Sequence, residues 1–231
     1  MNHRIRVFAR LLAVVGIALA TPNSVSAAGP IVLDGLFDDW AGQMHLDDPP
    51  GDAKNEKTDM SAFYFGTNPD DSNLYFMAGR WGGGAQPLRL RLKIDTDNNR
   101  VFTEPQDRIL DIRYQPSKEA SQVDVEMLDG NGLFLAPVIY SADWGDSANE
   151  GGLRVEWGIA FAQLGISPQQ AIRMVLESAD GNDFSDQIPN SGDIQWSPAS
   201  ALGIPLLAVL LIAGIGWLVY QRRRPPWRSR S

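Results

Sequence analysis

The stretch that most constrains this chain is Leu88 to Asp107, LRLRLKIDTDNNRVFTEPQD. Leu88, Leu90, Leu92 and Ile94 occupy one phase, and Arg89, Arg91 and Lys93 the other. A period of two predicts a half-buried strand, with its apolar face to a core and its cationic face to water. The alternation then stops, and hard oxygen donors follow: Asp95, Asp97 and Asn99 at every second position, then Glu104 and Asp107. Such donors crowded at a strand end are what a calcium ion takes, and these five residues are its expected ligands. The first three match positions one, three and five of an EF-hand loop. Arg100 stands where that loop needs glycine and Gln106 where it needs glutamate, so this is not an EF-hand. A carbonyl near Val101 or Thr103 would help to close the sphere. The alternative is a plain polar turn, since Asp and Asn favour turns.

Similar strand signals recur along the chain. Met60 to Gly66 and Asn73 to Trp81 read as a hairpin joined by Asn68 to Ser72. Ile109 to Tyr114 and Val123 to Leu128 alternate, and Asp129-Gly130-Asn131-Gly132 turns into Leu133 to Tyr140. Leu153 to Trp157 is another strand, Phe161 to Gly165 one helical turn, and Ile172 to Glu177 and Ile194 to Trp196 the last strands. Ile31 to Asp34 is read as a short first strand, and His45 to Asp59 and Asp180 to Ser191 as loops. About nine or ten short strands and no long amphipathic helix predict an all-β sandwich.

The two ends predict the compartment. Arg4, Arg6 and Arg10, the apolar run Leu11 to Ala20 and the small residues to Ala28 form a secretory signal peptide over 1–28. Residues 198–220 contain an uncharged run, Ala201 to Tyr220, long enough for one transmembrane helix. Arg222, Arg223 and Arg224 open a basic cytoplasmic tail, 221–231, and put the domain at 29–197 outside the cytoplasm: a single-pass, type I arrangement in the cell membrane. A processed sorting signal is the rival to a retained anchor, although no LPxTG motif precedes the run.

Between Gly29 and Ser197 lie 28 acidic and 12 basic residues, a net charge of −16 where the whole chain has −8. That surface argues against nucleic acid and anionic lipid as partners. Cysteine is absent, which excludes a thiol nucleophile and covalently attached c-type haem.

Three segments carry a resemblance. Ile31-Val32-Leu33-Asp34-Gly35 with Asp38-Asp39-Trp40, Leu92 to Asn99, and Glu156 to Phe161 with Leu164-Gly165 together resemble the carbohydrate-binding module family 9-like sandwiches of the wider DOMON-like group. The resemblance implies a jelly-roll-like β-sandwich, often calcium-stabilised, that serves as a binding module rather than an enzyme. Members bind sugars, and DOMON relatives bind haem or move electrons. Such modules commonly accompany a catalytic domain, whereas here one folded domain is expected.

A sugar site needs aromatic faces flanked by polar groups. Of Trp40, Trp81, Trp144, Trp157 and Trp196, the first and Trp157 are expected in cores, while Trp81 and Trp144 sit in glycine- and aspartate-flanked loops and are the expected ligand-binding residues. The expected partner is carbohydrate or a cell-surface protein. The alternative is a b-type haem electron-transfer domain, for which His45 and the methionines Met44, Met60, Met77, Met127 and Met174 are the available ligands. The acid pairs Asp38–Asp39, Asp47–Asp48 and Asp70–Asp71 carry no hydrolase geometry by themselves, and no catalytic residue is expected.

Overall fold

The computed structural model describes residues 29–69, 71–84, 86–115, 123–138, 142–143, 152–181 and 183–198. The signal segment, the expected membrane span beyond Pro198 and the tail lie outside them. Among the described residues no helix is long and apolar enough to cross a membrane.

The described chain is built from antiparallel strands: β1 (Met44–Asp47), β2 (Met60–Gly66), β3 (Asn73–Arg80), β4 (Leu88–Asp95), β5 (Arg108–Tyr114), β6 (Asp124–Asp129), β7 (Phe134–Pro137), β8 (Ala142–Asp143), β9 (Arg154–Ala160), β10 (Ile172–Asp180), β11 (Asp183–Ile188) and β12 (Ile194–Trp196). A single-turn helix, α1 (Phe161–Leu164), follows β9 and ends at Gly165, whose φ of 73° is the left-handed conformation that closes helices. One sheet runs β1-β2-β3-β9-β8. The other runs β11-β10-β4-β5-β6-β7, with β12 also paired to β10.

The alternation in β4 translates directly into packing. Leu88, Leu90, Leu92 and Ile94 are buried against Phe63, Phe65, Phe76 and Trp157 of the other sheet, making one core between two sheets. Phe76 stacks between Phe63 and Trp157, with centroids 6.0 and 5.8 Å away. The opposite face of β4 is not simply solvated. Register sets acidic residues of neighbouring strands beside its cations. Arg89 donates to both carboxylate oxygens of Asp111 at 2.7 and 2.6 Å, and Lys93 reaches Glu177 at 2.5 Å.

Among the described residues twelve strands form where about nine or ten are expected, because three short segments, β1, β8 and β11, join sheet edges. β1 and β11 lie in the stretches read as loops. An edge strand has one neighbour and one or both faces wet, so it needs no apolar alternation to be held. Conversely, Ile31 to Asp34 joins no ladder. Its backbone is tied instead to a side chain: Ile31 N–H donates to Asn68 Oδ1 at 2.7 Å, and Asn68 Nδ2 donates back to the Ile31 carbonyl at 2.8 Å.

This N-terminal segment lies on the outer face of the β1-β2-β3-β9-β8 sheet, where Ile31, Phe37 and Trp40 pack on Tyr75 and Met77. Its anchor is Glu156 on β9, which is fully buried. One carboxylate oxygen accepts the Gly35 N–H and the other the Trp40 indole N–H, both at 2.8 Å. Burial pushes this carboxyl up to about 7, against the opposing pull of those two hydrogen bonds. The folded state therefore holds its proton better than the unfolded chain. Glu156 stabilises the fold fully below the unfolded carboxyl range, and that contribution is lost as the pH rises through about 7. Glu156→Gln presents an amide N–H to one of the two donors and is expected to cost about 1–3 kcal/mol. Urea unfolding of wild type and variant at pH 5 and pH 8 checks both points: the gap between them is expected to narrow at pH 8.

Candidate functional site

β4 leads from one end of the sandwich to the other, and each end carries a feature of interest. At its C-terminal end, residues 95–107 form the loop into β5. Asp95 and Asp107 stand at the two strand ends and are fully buried. The Asp95 carboxylate accepts the N–H groups of Asn99 at 3.2 Å and Arg100 at 2.7 Å. The Asp107 carboxylate accepts those of Thr96 at 3.1 Å and Glu104 at 3.0 Å. Arg100 has a φ of 74° and Asn98 one of 61°. Thus the position at which an EF-hand loop has glycine takes a left-handed conformation here too, although a non-glycine residue adopts it at some cost.

One oxygen each from Asp95, Asp97 and Asp107 lies within 4.8 Å of the others. These three of the five expected ligands are brought together. Glu104 instead accepts from the side-chain amides of Asn99 at 2.5 Å and Gln106 at 2.9 Å. Asn99 Nδ2 also donates to Asp97 at 3.1 Å. The Asp107 carboxyl is pushed up, chiefly by burial, with the charges of Asp95 and Asp97 adding to it and its two backbone hydrogen bonds opposing. Chemically, the trio is an all-oxygen, anionic donor set suited to a hard cation.

The opposite end gathers Trp81, just past β3, with the start of β4 and the ends of β5 and β10. Trp81 is 51% exposed, yet it is held twice. Its backbone N–H donates to the Asp59 carbonyl at 2.8 Å, and its indole N–H to the Asp48 carbonyl at 3.0 Å. The glycines after it lie close to the 3-10 turn Glu56–Thr58. A Cβ at Gly82 would meet the Glu56 side chain at 2.7 Å, and one at Gly83, whose φ is 92°, would meet Lys57 Cα at 2.7 Å. Arg80 organises this end from below: its guanidinium donates to the carbonyls of Lys57, Gly84, Gln86 and Gly152 and lies 5.5 Å from the centre of the Tyr114 ring. Beside the glycine loop opens a cleft of about 460 Å³, whose walls include Lys57, Arg89, Tyr114 and Asp180. Trp144, the second expected ligand-binding residue, lies outside the described residues.

His45 stacks on Tyr64 with ring centroids 4.6 Å apart, at a hollow of about 290 Å³. Met77 also touches that hollow but is buried in the small cluster with Trp40 and Tyr75. Met60, Met127 and Met174 are buried in the main core. Of the acid pairs, Asp47 is exposed while Asp48 is buried, so neighbours in sequence point into different surroundings.

Sequence spacing gave no sign of one grouping: Asp48, Asp52, Asp59 and Asp186 each place a carboxylate oxygen within 4.8 Å of the others. Asp186 belongs to β11, which reads as loop in the sequence, so nothing linked it to the other three. No family model, curated protein or solved structure matches this chain.

Gly130, in the turn after β6, sets the shape of the 95–107 loop. A Cβ there would lie 2.3 Å from the Glu104 carbonyl oxygen and 2.9 Å from Asp107 Cβ. Backbone cannot yield as a flexible side chain does, so Gly130→Ala is expected to destabilise the protein by about 1–3 kcal/mol. A thermal melt of the variant beside wild type measures this.

Proposed function

We propose that this chain is a membrane-tethered, extracytoplasmic binding module of the jelly-roll-like kind, with carbohydrate as its ligand and calcium stabilising its 95–107 loop. The observation that carries the ligand assignment is Trp81. Half its surface is open to solvent, while hydrogen bonds at its backbone and indole nitrogens hold the ring in place. A fixed aromatic face stacks on sugar C–H groups with little ordering entropy to lose. Glu56, Lys57 and the cleft beside Tyr114 offer the polar groups and the volume that a sugar ring needs. The tether rests on the uncharged run from Ala201 and the arginines that follow it.

The segments that carry the resemblance to family 9-like modules meet in the fold. Asp34-Gly35, Trp40 and Glu156 come from two of the three resembling stretches, and they join at a single buried carboxylate. The third stretch supplies the second half of β4 and the start of its acidic loop.

Oligosaccharides titrated against wild type and Trp81→Ala test the sugar site. The variant is expected to bind about tenfold more weakly, a loss of ~1.4 kcal/mol. Unchanged affinity would remove Trp81 from the site, and binding confined to a surface protein would make that the partner instead.

For the loop, calcium at about tenfold excess over its Kd is expected to stabilise the fold by ~1.4 kcal/mol, a melting shift of around 3–6 °C. Melts with millimolar calcium and with chelator check this, and Asp95→Ala/Asp97→Ala is expected to shrink the shift.

A further inference from the structure

We infer that Asp48, Asp52, Asp59 and Asp186 form a second cation site, for a calcium-sized divalent ion, at the end of the sandwich that carries Trp81. This goes beyond the calcium loop at 95–107, from which it is independent. The four carboxylates come from the loop between β1 and β2 and from β11, at the seam where the edges of the two sheets meet. One oxygen from each lies within 4.8 Å of the other three. Asp48 is 3% exposed, and Asp59 and Asp186 are each 5% exposed.

A second observation separates this group from an ordinary acidic cluster. Asp48 Oδ2 and Asp59 Oδ1 are buried with no hydrogen-bond partner at all. Four of the other oxygens are held in place by donors. Asp59 Oδ2 accepts the Gly51 N–H at 2.7 Å, Asp52 Oδ2 accepts from Asn190 Nδ2 at 2.8 Å, and the Asp186 oxygens accept the N–H groups of Met60 at 2.8 Å and Gln187 at 2.7 Å. Among the described residues no lysine or arginine forms a salt bridge to any of the four.

Buried carboxylates that share no counter-charge and leave an oxygen without a donor are costly, so they either take up protons or hold a cation. A divalent ion meets the same demand at neutral pH. The set contains only oxygen donors from the protein, which suits calcium. Magnesium, which keeps its own waters, fits a site of four protein carboxylates poorly.

The site has a consequence for Trp81. The carbonyls that hold its indole and backbone N–H groups belong to Asp48 and Asp59, two of the ligands. An ion that orders those residues also fixes the ring. This link rests on the Trp81 reading above, whereas the ion site itself does not.

The experiment uses the full chain carrying Asp95→Ala/Asp97→Ala, so that the other loop is silenced. Equilibrium dialysis against calcium is expected to show one ion bound per chain. Terbium, as a calcium substitute, is expected to luminesce on tryptophan excitation, with emission falling severalfold in Trp81→Phe while calcium binding is kept. Asp52→Ala, at an exposed position, is expected to weaken calcium binding at least tenfold, and Asp59→Asn/Asp186→Asn to abolish it. Folding of the last variant is read in chelator, where removing two like charges is expected to leave its melting temperature equal to or above that of its parent. If the Asp95→Ala/Asp97→Ala protein binds no calcium, or if Asp59→Asn/Asp186→Asn binds it as well as its parent, the site does not exist. Calcium bound at this site by a protein whose sugar affinity is unchanged in Trp81→Ala would overturn the reading of Trp81 alone.

Discussion

A carboxylate taken out of water must be met by donors, by a cation or by a proton, and this domain buries many of them. Among the described residues eight Asp and Glu side chains are buried against two arginines, so ion pairing cannot answer most of them. The structure answers them one by one. Glu156 is met by two N–H groups and thereby fastens the N-terminal segment to β9. Asp111 is met by the fork of Arg89, which straps β5 to β4. Asp95 and Asp107 are met by backbone N–H groups that set the shape of the loop they bound. At Asp48 and Asp59 one oxygen each goes unmet.

The distribution of these answers gives the sandwich two different ends. β4 rises about 3.3 Å per residue, so Leu88 and Asp95 stand roughly 23 Å apart along the strand. At the Asp95 end, compact turns and buried acids make a loop closed on its own backbone N–H groups. At the Leu88 end, Arg80 gathers four carbonyls, glycines let the chain after Trp81 lie flat on the 3-10 turn, and a cleft remains open. The first arrangement suits holding an ion for stability, and the second suits presenting a surface.

Several features were legible because they follow from the local period of the chain. The phase of Leu88, Leu90, Leu92 and Ile94 named the core face of β4, and the phase shared by Val155 and Trp157 put that tryptophan inside; all six are buried. Gly165 marked the end of α1, and the crowding of acids from Asp95 to Asp107 marked one loop, in which an oxygen each of Asp95, Asp97 and Asp107 lies within 4.8 Å of the others. In each case burial or turn geometry is decided by neighbours a few residues away, so the pattern is written in the sequence itself.

The edges, the outer face of β4 and the four-aspartate cluster were decided only by tertiary structure. β1 is too short for its pattern to stand out and β11 carries no apolar alternation, since an edge strand is held by a neighbour's backbone rather than by its own side chains. The cations of β4 read as solvated because their partners, Asp111 and Glu177, lie on other strands whose register cannot be seen from β4 alone. Asp186 reaches Met60 across 126 residues, and no spacing rule relates residues so far apart. Periodicity reports what a strand does with its own two faces. Which carboxylates meet, and which are left without a partner, depends on how the sheets close on one another.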